Sequence, residues 1–292
     1  MANTQDIRRR IRSIRNTAQI TKAMQMVAAS KMRKAQQHAL AGRPYSELMN
    51  RVLVSLKSRT NPLLHPLLQI RPTTKELVLM ISTDRGLAGA LNTNLMREAT
   101  TYDTKKTVYV TAGRKARQFI ARTRRELLAD FALKDSPNFL ETKAISKFCV
   151  EKFLSRQVDK VTILYTHFIN TINQQPVAQT LLPIDRFAFS ALPTGGAPGD
   201  SAADPMLEYI FEPSPQAVLD FMLPYYVQYQ VFQMILDARA SEHSARMVAM
   251  KNATDNANQF IKDLTLEYNK MRQASITTEL LEIATAQMAV SG

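Results

Sequence analysis

One segment with the residue types of a phosphate-binding turn follows an apolar run near the middle of the chain. It reads Asp84-Arg85-Gly86-Leu87-Ala88-Gly89 and combines two charged residues with small ones. Its glycines have neither the G-x-G-x-x-G spacing of dinucleotide-binding folds nor the Gly-Lys-Ser/Thr ending of a P-loop. The sequence therefore favours a tight strand-to-helix turn over a nucleotide site. A nucleotide-using α/β enzyme stays an alternative, to be tested by nucleotide binding to the isolated chain.

The histidines and the cysteine show no arrangement that suits a metal or a nucleophile. Histidines occur at positions 38, 65, 167 and 243, without paired metal-ligand spacing. Ser241-Glu242-His243 are neighbours in a helical pattern, so their side chains diverge and cannot form a triad. We expect His243 to be an exposed helix residue. Lone Cys149 excludes an internal disulfide and a thiolate metal site. The sequence predicts no catalytic residue, no metal and no cofactor.

The charge of the chain is concentrated near its start. The formal net charge is +13, and among residues 1 to 40 only Asp6 opposes a basic set made of Arg8, Arg9, Arg10, Arg12, Arg15, Lys22, Lys31, Arg33 and Lys34. Such a helix suits nucleic acid, an anionic membrane surface or acidic protein surfaces, or is simply a solvated face. A basic coiled-coil nucleic-acid-binding protein is thus an alternative. Against it, no aromatic residues interleave with this run and no zinc-finger spacing is present.

Composition narrows the class of protein further. The hydrophobic content of 45% argues against global disorder. No run of 18 or more apolar residues occurs, so no membrane span is expected. The N-terminus lacks the apolar core of a secretory signal. We therefore expect a cytosol-facing protein.

A polar run near the C-terminus admits two interpretations. It comprises Thr254-Asp255-Asn256, the stretch from Tyr268 to Gln273, and Thr277-Thr278-Glu279. A long exposed helix often carries such residues as a solvated face. Arg and Gln also form directional hydrogen bonds, so contact with a large protein partner is the other interpretation.

The elements that would carry these residues begin with a long C-terminal helix. Between Pro224 and the terminal Gly292 there is no proline or glycine to stop a helix. A helix from Tyr225 to Ala289 would be on the order of 95 Å long. Apolar residues recur at threes, fours and sevens, and resume after one slip: Ala253, Ala257, Phe260, Leu264, Met271, then Ile276, Leu280 and Ile283. This single stripe requires a partner.

The N-terminus supplies a matching helix. Residues 1 to 41 also lack proline and glycine, and an apolar stripe runs through Ile7, Ile11, Ile14, Ala18, Ile20, Met24, Val27, Ala28, Met32 and Ala35. Two long one-sided helices at opposite ends of a chain can pair as an antiparallel coiled coil. We predict Ile14, Val27, Phe260 and Leu264 in its seam. The alternative is two ordinary helices of a bundle.

The middle of the chain predicts a small α/β domain. Strands are expected at Glu76 to Ile81, Thr107 to Thr111, Lys160 to Tyr165 and Val177 to Ile184, with helices at 91–101, 113–122 and 143–156. This alternation indicates a largely parallel, Rossmann-like sheet. The predicted fold class is α+β, a long antiparallel coiled coil with a central α/β domain. Its parts are an N-terminal coiled-coil helix (1–58), a connector (59–74), the α/β domain (75–190), a flexible loop (191–208) and a C-terminal coiled-coil helix (209–292).

Three motifs together resemble the family of gamma subunits of rotary F-type ATP synthases, most closely the bacterial form. The first comprises Ile11 to Thr17, Ile20 to Met24 and Met26 to Met32. The second is Ser82-Thr83-Asp84-Arg85-Gly86-Leu87. The third runs from Ala240-Ser241-Glu242 through Ala253 to Ala257 and ends in Tyr268-Asn269-Lys270-Met271-Arg272-Gln273-Ala274-Ser275-Ile276-Thr277. The resemblance covers nearly the whole chain.

The resemblance implies a non-catalytic central-stalk rotor. The coiled coil would occupy the bore of a hexamer of alternating alpha and beta subunits. The α/β domain would form a foot that binds the epsilon subunit and rests on the c-subunit ring. Proton flow would turn the ring and shaft, driving the beta sites through different nucleotide affinities. The protein would be peripheral, at the cytoplasmic face of the bacterial plasma membrane, and would not bind nucleic acid.

The resemblance also assigns contact residues. Arg272 and Gln273 would hydrogen-bond a beta-subunit loop. Lys22, Met24 and Arg246 would meet acidic beta elements near the mouth of the bore. Contacts with the c ring would come from two further residues, Tyr209 and Glu212.

Overall fold

The computed structural model describes residues 4–59, 65–184 and 210–291. Residues 1–29 and 246–292 form one unit, and residues 30–245 form the other. The elements in chain order are α1 (Thr4–Ala41), α2 (Arg43–Arg59), a short 3-10 helix (Pro66–Leu68), β1 (Glu76–Ile81), α3 (Leu91–Thr100), β2 (Thr107–Ala112), α4 (Arg114–Arg122), β3 (Leu127–Phe131), α5 (Phe139–Leu154), β4 (Lys160–Phe168), β5 (Gln174–Leu182) and α6 (Pro215–Ser291).

The second unit is built on a five-stranded sheet in the order β3-β2-β1-β4-β5. β1 pairs in parallel with both β2 and β4, β2 pairs in parallel with β3, and β5 joins β4 antiparallel. Parallel strands need covered faces, and every residue of β1 and β2 is accordingly buried except the half-buried Glu76. The predicted α/β arrangement is confirmed.

Alternate residues of β1 point into two separate cores. Val78 and Met80 pack with α3 and α4 in a smaller core. On the opposite face, the larger core joins Leu77 and Leu79 to α5, α2 and the early part of α6. Cys149 of α5 is fully buried there, and burial raises the pKa of its thiol to about 12. The sheet is therefore covered on both sides, and α6 belongs to its core.

Strand β3 was not predicted from the sequence. Its burial alternates between half-buried and exposed, because it is the edge strand beside β2. Asp130, within β3, accepts hydrogen bonds from Thr111 at 2.7 Å and Arg117 at 3.3 Å. A short edge strand with an acidic residue carries a weak apolar signal, which explains the omission.

The N-terminal helical region consists of two helices that meet at Gly42. A side chain at this position would meet Gln233 Nε2 at 2.4 Å and the Tyr229 hydroxyl at 2.6 Å. The Tyr229 hydroxyl donates to the Gly42 carbonyl at 2.5 Å. A larger residue at position 42 would displace the Gln233 and Tyr229 side-chain ends of α6, and α2 continues the helical region beyond it.

Helices α1 and α6 run antiparallel, as predicted. In the second unit, Lys31 bonds Asp135, whose carboxylate is in electrostatic reach of Arg239 and His243. Further along the chain, Gly42 contacts Tyr229 instead. Residue numbers on α6 therefore fall as those on the N-terminal helices rise, which is the order expected for antiparallel helices.

In the first unit, the two helices share a heptad seam. The Thr21 and Thr254 hydroxyls lie 2.7 Å apart. Antiparallel pairing from this contact places Ile7 opposite Tyr268 and Thr4 opposite Met271. The covered positions recur at alternating threes and fours, namely 7, 11, 14, 18, 21, 25 and 28 on α1 and 250, 254, 257, 261, 264, 268 and 271 on α6.

Helix α6 begins at Pro215, within the segment 209–292 assigned to the C-terminal helix, and includes Pro224. The sequence predicts a kink or an interruption at this proline, and the helix is not interrupted there. Proline removes the hydrogen bond to the carbonyl four residues earlier, which belongs to Asp220. Asp220 is exposed, so water can satisfy that carbonyl.

Two expectations concern residues that the structure does not describe. The loop predicted at 191–208 lies outside the described residues, as does Tyr209. Over the described residues, no helix combines the length and apolarity needed to cross a membrane.

Candidate functional site

The outer surface of the helix pair in the first unit carries three of the predicted contact residues. Lys22 is exposed, and Met24 and Arg246 are half-buried. Lys22 and Met24 lie within one turn of the Thr21–Thr254 contact. The structure thus places these residues on or beside the outside of the pair, and the prediction that they contact a beta subunit stays a prediction.

The seam was predicted only in part. Ile14 and Leu264 are half-buried at covered heptad positions. Val27 and Phe260 are 56% and 59% exposed, so their placement in the seam is wrong. The neighbouring positions Thr21, Gln25, Thr254 and Ile261 lie on the covered stripe instead. The bulky apolar residues that were assigned to the seam are available to another protein.

Beyond Met271, α6 continues without α1 opposite it. Arg272 and Gln273 are the first residues of this part and are exposed. Every residue from 272 to 287 is exposed, and the large apolar ones are Ile276, Leu280, Leu281 and Ile283. The register explains this, because Thr4 already lies opposite Met271. Sequence reasoning placed Arg272 and Gln273 off the apolar stripe correctly, and their hydrogen bonds to beta stay a prediction.

Of the two residues predicted to contact a c ring, the structure describes one. Glu212 is exposed just before α6 begins. Its predicted companion, Tyr209, lies outside the described residues. The structure therefore offers no test of that pair as a site.

The turn after β1 is occupied by the protein's own groups. Asp84 Oδ1 accepts from the Arg114 backbone N–H at 3.0 Å, at the first residue of α4. The next two N–H groups donate to the Thr83 carbonyl at 3.1 Å and the Ser82 hydroxyl at 2.8 Å. A phosphate at a helix N-terminus would need these same donors. The segment between β1 and α3 is thus a strand-to-helix turn that also caps the N-terminus of α4.

Glycine at position 113 allows this close approach. Its φ is +118°, and a Cβ there would meet the Ser82 carbonyl oxygen at 2.3 Å. A larger residue would both strain the backbone and push α4 away from the turn. The end of β1 and the start of α4 are thus tied tightly together.

A buried polar cluster joins α6 to this turn. The Arg239 side chain is 4% exposed and donates to Glu242 Oε2 at 2.6 Å. It also donates to Asp84 Oδ2 at 3.3 Å and to the Leu133 carbonyl at 3.2 Å. One guanidinium therefore connects α6 with the segments that follow β1 and β3.

The electrostatics keep this arginine charged. Burial disfavours the guanidinium cation, but the facing Glu242 and Asp84 carboxylates outweigh this and raise the pKa of Arg239. Glu242 and His243 are both buried, so the expectation that His243 is exposed is wrong. Sequence analysis missed the cluster because Arg239 and Asp84 are far apart in the chain, and only their burial identifies them.

A second polar group lies on the other flank of α6. Asp237 Oδ2 is 2.5 Å from His167 Nδ1, and Oδ1 accepts from the Phe168 N–H at 3.2 Å. The Ser244 hydroxyl donates to the Thr171 carbonyl at 2.9 Å. Burial raises the pKa of Asp237, and His167 opposes that shift. These contacts bind α6 to the end of β4 and to the β4–β5 turn.

A small cavity separates α6 from the carboxyl ends of β1 and β4. It measures ≈ 10 Å³ and is lined in part by Thr83, Thr166 and Arg239. Thr166 Oγ1 and Arg239 Nε are buried without a protein hydrogen-bond partner. The space and these two polar atoms suit a water molecule rather than a larger ligand.

Among the described residues, no group of three His, Cys, Asp or Glu side chains is placed to hold a metal ion.

Comparison with known proteins gives consistent matches over the whole chain. The profile of the family described as ATP synthase matches residues 3–290. The chain is 50% identical to the ATP synthase gamma chain of Methylacidiphilum infernorum, covering 99% of this chain and 100% of that one. It is 49% identical to the ATP synthase gamma chain of Opitutus terrae, covering 100% of both.

Solved structures share the fold. A chain of the Euglena gracilis mitochondrial ATP synthase (OSCP/F1/c-ring) has a TM-score of 0.67 at 20% identity, covering 98% of this chain and 94% of that one. A chain of the Tetrahymena thermophila mitochondrial ATP synthase (central stalk/c-ring) has a TM-score of 0.60 at 23% identity, covering 80% of this chain and 99% of that one.

Proposed function

The chain belongs to the ATP synthase family as a gamma chain, and from this premise we propose that it couples rotation of a membrane c ring to changes at the beta-subunit catalytic sites. The gamma chain is a non-catalytic subunit of that enzyme. Its contribution is therefore mechanical: it would rotate as a rigid body and contact the surrounding subunits through its surface.

The observation that carries the proposal is the form of the helix pair in the first unit. Its seam contains small residues, among them Ala18, Ala28 and Ala257, all of them buried. Small seam residues let two helices approach closely and keep the pair slender. A slender pair with exposed apolar side chains suits the bore of an alternating alpha-beta hexamer.

The basic flank of α1 supports contact with acidic elements of the beta subunits. Arg8, Arg12, Arg15 and Lys22 are exposed and follow one another at intervals of four, three and seven. This spacing puts them on one side of the helix, next to the seam. Lys22, with Met24 and Arg246, would meet acidic beta loops at the mouth of the bore.

The single-helix end of α6 supports a deeper contact. An isolated helical segment of this length is marginal in water, and its apolar residues need a covering surface. Enclosure by the hexamer would supply that surface. Arg272 and Gln273, at the start of this segment, would hydrogen-bond a beta-subunit loop once per passage.

The α/β unit would form the foot of the rotor. It would bind the epsilon subunit, and Tyr209 and Glu212 would contact the c ring. Proton flow would drive the rotation. The chain would lie at the cytoplasmic face of the bacterial plasma membrane as a peripheral protein. The N-terminus of α4 would hold no phosphate in this arrangement, because Asp84 and Ser82 already accept from its N–H groups.

Reconstitution tests this proposal directly. The chain is coexpressed with all the other subunits of the ATP synthase of the same source, and the complete complex is placed in vesicles. We expect it to co-purify with alpha and beta, and ATP addition to acidify the vesicle lumen. Omission of the chain is the control and should abolish pumping. Pumping that is equal with and without the chain, or failure to co-purify, would contradict the proposal.

A further inference from the structure

The segment of α6 from Met234 to Ser244 lies in a socket of the second unit. Every residue in it is buried except Asp237, which is partly buried. Close-packed apolar side chains oppose turning of an enclosed helix by steric contact, and rotamer changes can relieve part of that opposition. Directional bonds from this segment to fixed points around it add a resistance that depends on angle.

Those bonds lie on two opposite sides of the helix. Successive residues turn by about 100°, so Asp237 and Arg239 are about 160° apart around the axis. Ser244 falls on the side of Asp237, and Glu242 falls on the side of Arg239. The structure therefore holds α6 between the β4–β5 hairpin on one flank and the segments after β1 and β3 on the other.

We propose that this polar clamp, made of Asp237, Arg239, Glu242 and Ser244 of α6 with Asp84, His167, Thr171 and the Leu133 carbonyl, is the torque-bearing joint that stops α6 turning within the α/β unit. The proposal rests on the proposed rotor function. Arg239 is its central positioning residue, because its planar fork reaches acceptors on two segments outside α6, while Glu242 of α6 holds the guanidinium in place.

Geometry explains why the clamp resists rotation in both senses. A helix rotation of about 15° moves a side-chain end at about 6 Å radius by about 1.5 Å. The hydrogen bonds from Arg239 to Asp84 Oδ2 and to the Leu133 carbonyl, 3.3 Å and 3.2 Å long, do not survive such a displacement. Turning one way pulls on one flank and turning the other way pulls on the opposite flank. Since α6 continues as one helix to Ser291, torque received at the α/β unit passes into the same helix.

The test uses the assembled complex with the hexamer fixed to a surface and a bead on the α/β unit. The quantity measured is the angular variance of the bead during catalytic pauses, with the unfolding midpoint of the same preparation. The variant is Arg239→Met with Glu242→Met, which replaces the buried ion pair by apolar side chains of similar length. Such replacements are often neutral or stabilising, so folding should be kept.

We expect this variant to assemble with an unchanged or raised unfolding midpoint and a broader angular distribution, and to pump fewer protons per ATP hydrolysed under load. The matched control is Lys75→Met with Glu126→Met, an exposed ion pair of 3.4 Å in the same unit that does not involve α6. The control should have the wild-type angular variance. An assembled clamp variant with wild-type variance would overturn the proposal.

Two further arms keep the test decisive. If the first variant does not assemble, Asp237→Asn with Ser244→Ala removes the opposite flank, and the same variance decides. Wild-type rotation of the bead tests the proposed function separately. A wild-type complex that does not rotate contradicts the rotor function, whereas a rotating wild type with an unaffected clamp variant contradicts the joint alone.

Discussion

Helix α6 is surrounded by its own chain in one part and nearly bare in another. Between Met234 and Ser244 its side chains are enclosed by the α/β unit and fixed by charged and hydroxyl groups. From Lys251 onward only one heptad stripe is covered, and beyond Met271 none of the residues to 287 is covered. The same helix, which has no breaking residue other than Pro224, is thus held in place in one part and exposed to other proteins in another. Directional bonds hold the first part, and a narrow seam leaves the surface of the second available to other subunits.

Removing one member of the buried cluster should have the largest effect on stability. Arg239→Ala leaves Glu242 buried without its guanidinium, and breaking such a pair costs about 3–5 kcal/mol. Lys75→Ala, in the exposed pair with Glu126, should cost only about 0–1 kcal/mol. Urea unfolding of the purified chain measures both. Equal costs for the two variants would show that the enclosed part of α6 is not held by its polar bonds.

Substitutions in α6 beyond Met271 should change the ATP turnover of the complex rather than the stability of the chain. Arg272→Ala with Gln273→Ala removes exposed side chains and should leave the unfolding midpoint near that of the wild type. Loss of a shielded charge-assisted hydrogen bond of roughly 1.5–3 kcal/mol would slow ATP turnover of the complex by about 10- to 100-fold. Exposed Thr278→Ala, on the same bare segment, serves as a control and should turn over normally. Unaffected turnover in the double variant, with intact assembly, would remove these residues from the mechanism.

Substitutions in the seam of the helix pair should lower stability more than substitutions on its outer face. Ala257→Leu adds bulk at a buried seam position and should destabilise by about 1–3 kcal/mol. Phe260→Ala, at an exposed position, should change stability by no more than about 0.5 kcal/mol. Helical circular dichroism during thermal unfolding measures the pair. The reverse ranking would restore Phe260 to the seam and move Ala257 out of it.

A small, pH-dependent effect on stability is expected at an exposed ion pair in the second unit. The hydrogen bond from Lys31, 2.5 Å away, lowers the pKa of Asp135 below its ordinary value of 3.8, against a smaller opposing effect of burial. Its stabilisation is therefore present above pH 3.8 and lost as the pH falls through the lower, folded-state pKa. Lys31→Met should cost at most about 1 kcal/mol at neutral pH. The difference from wild type should vanish in strong acid, and a difference that persists there would assign it to packing.

The fold could be predicted from the sequence where the pattern was strong and local. The strands β1, β2 and β4 are rich in apolar and β-branched residues and are mostly buried, and the terminal helices contain no breaking residue other than Pro224. Strand β3 was missed because half of its side chains face solvent. The antiparallel pairing was predictable because both stripes need a partner and both helices leave the same middle segment.

The seam and the clamp show what a pattern cannot decide. Helix α1 carries apolar residues on two sides, and apolarity alone does not tell which side meets α6. Thr21 and Gln25 lie on the covered stripe, whereas Ile20 and Val27 face outward. The Arg239 contacts depend on where β1 and β3 end in space. Glu242 and His243 lie in one of the motifs that carry the family resemblance. The prediction that His243 is exposed was wrong, because the sequence of α6 does not show which of its parts is enclosed.

The buried thiol of Cys149 has a practical chemical consequence. Alkylating reagents and maleimides react with the thiolate, and a thiol with a pKa of about 12 supplies almost none of it at neutral pH. Full burial also denies such reagents access. A cysteine introduced at an exposed turn, for example Lys105→Cys, would therefore be the one site that takes up a dye or a bead while the chain is folded. The natural cysteine can stay in place, and the core that it helps to fill need not be altered to attach a probe.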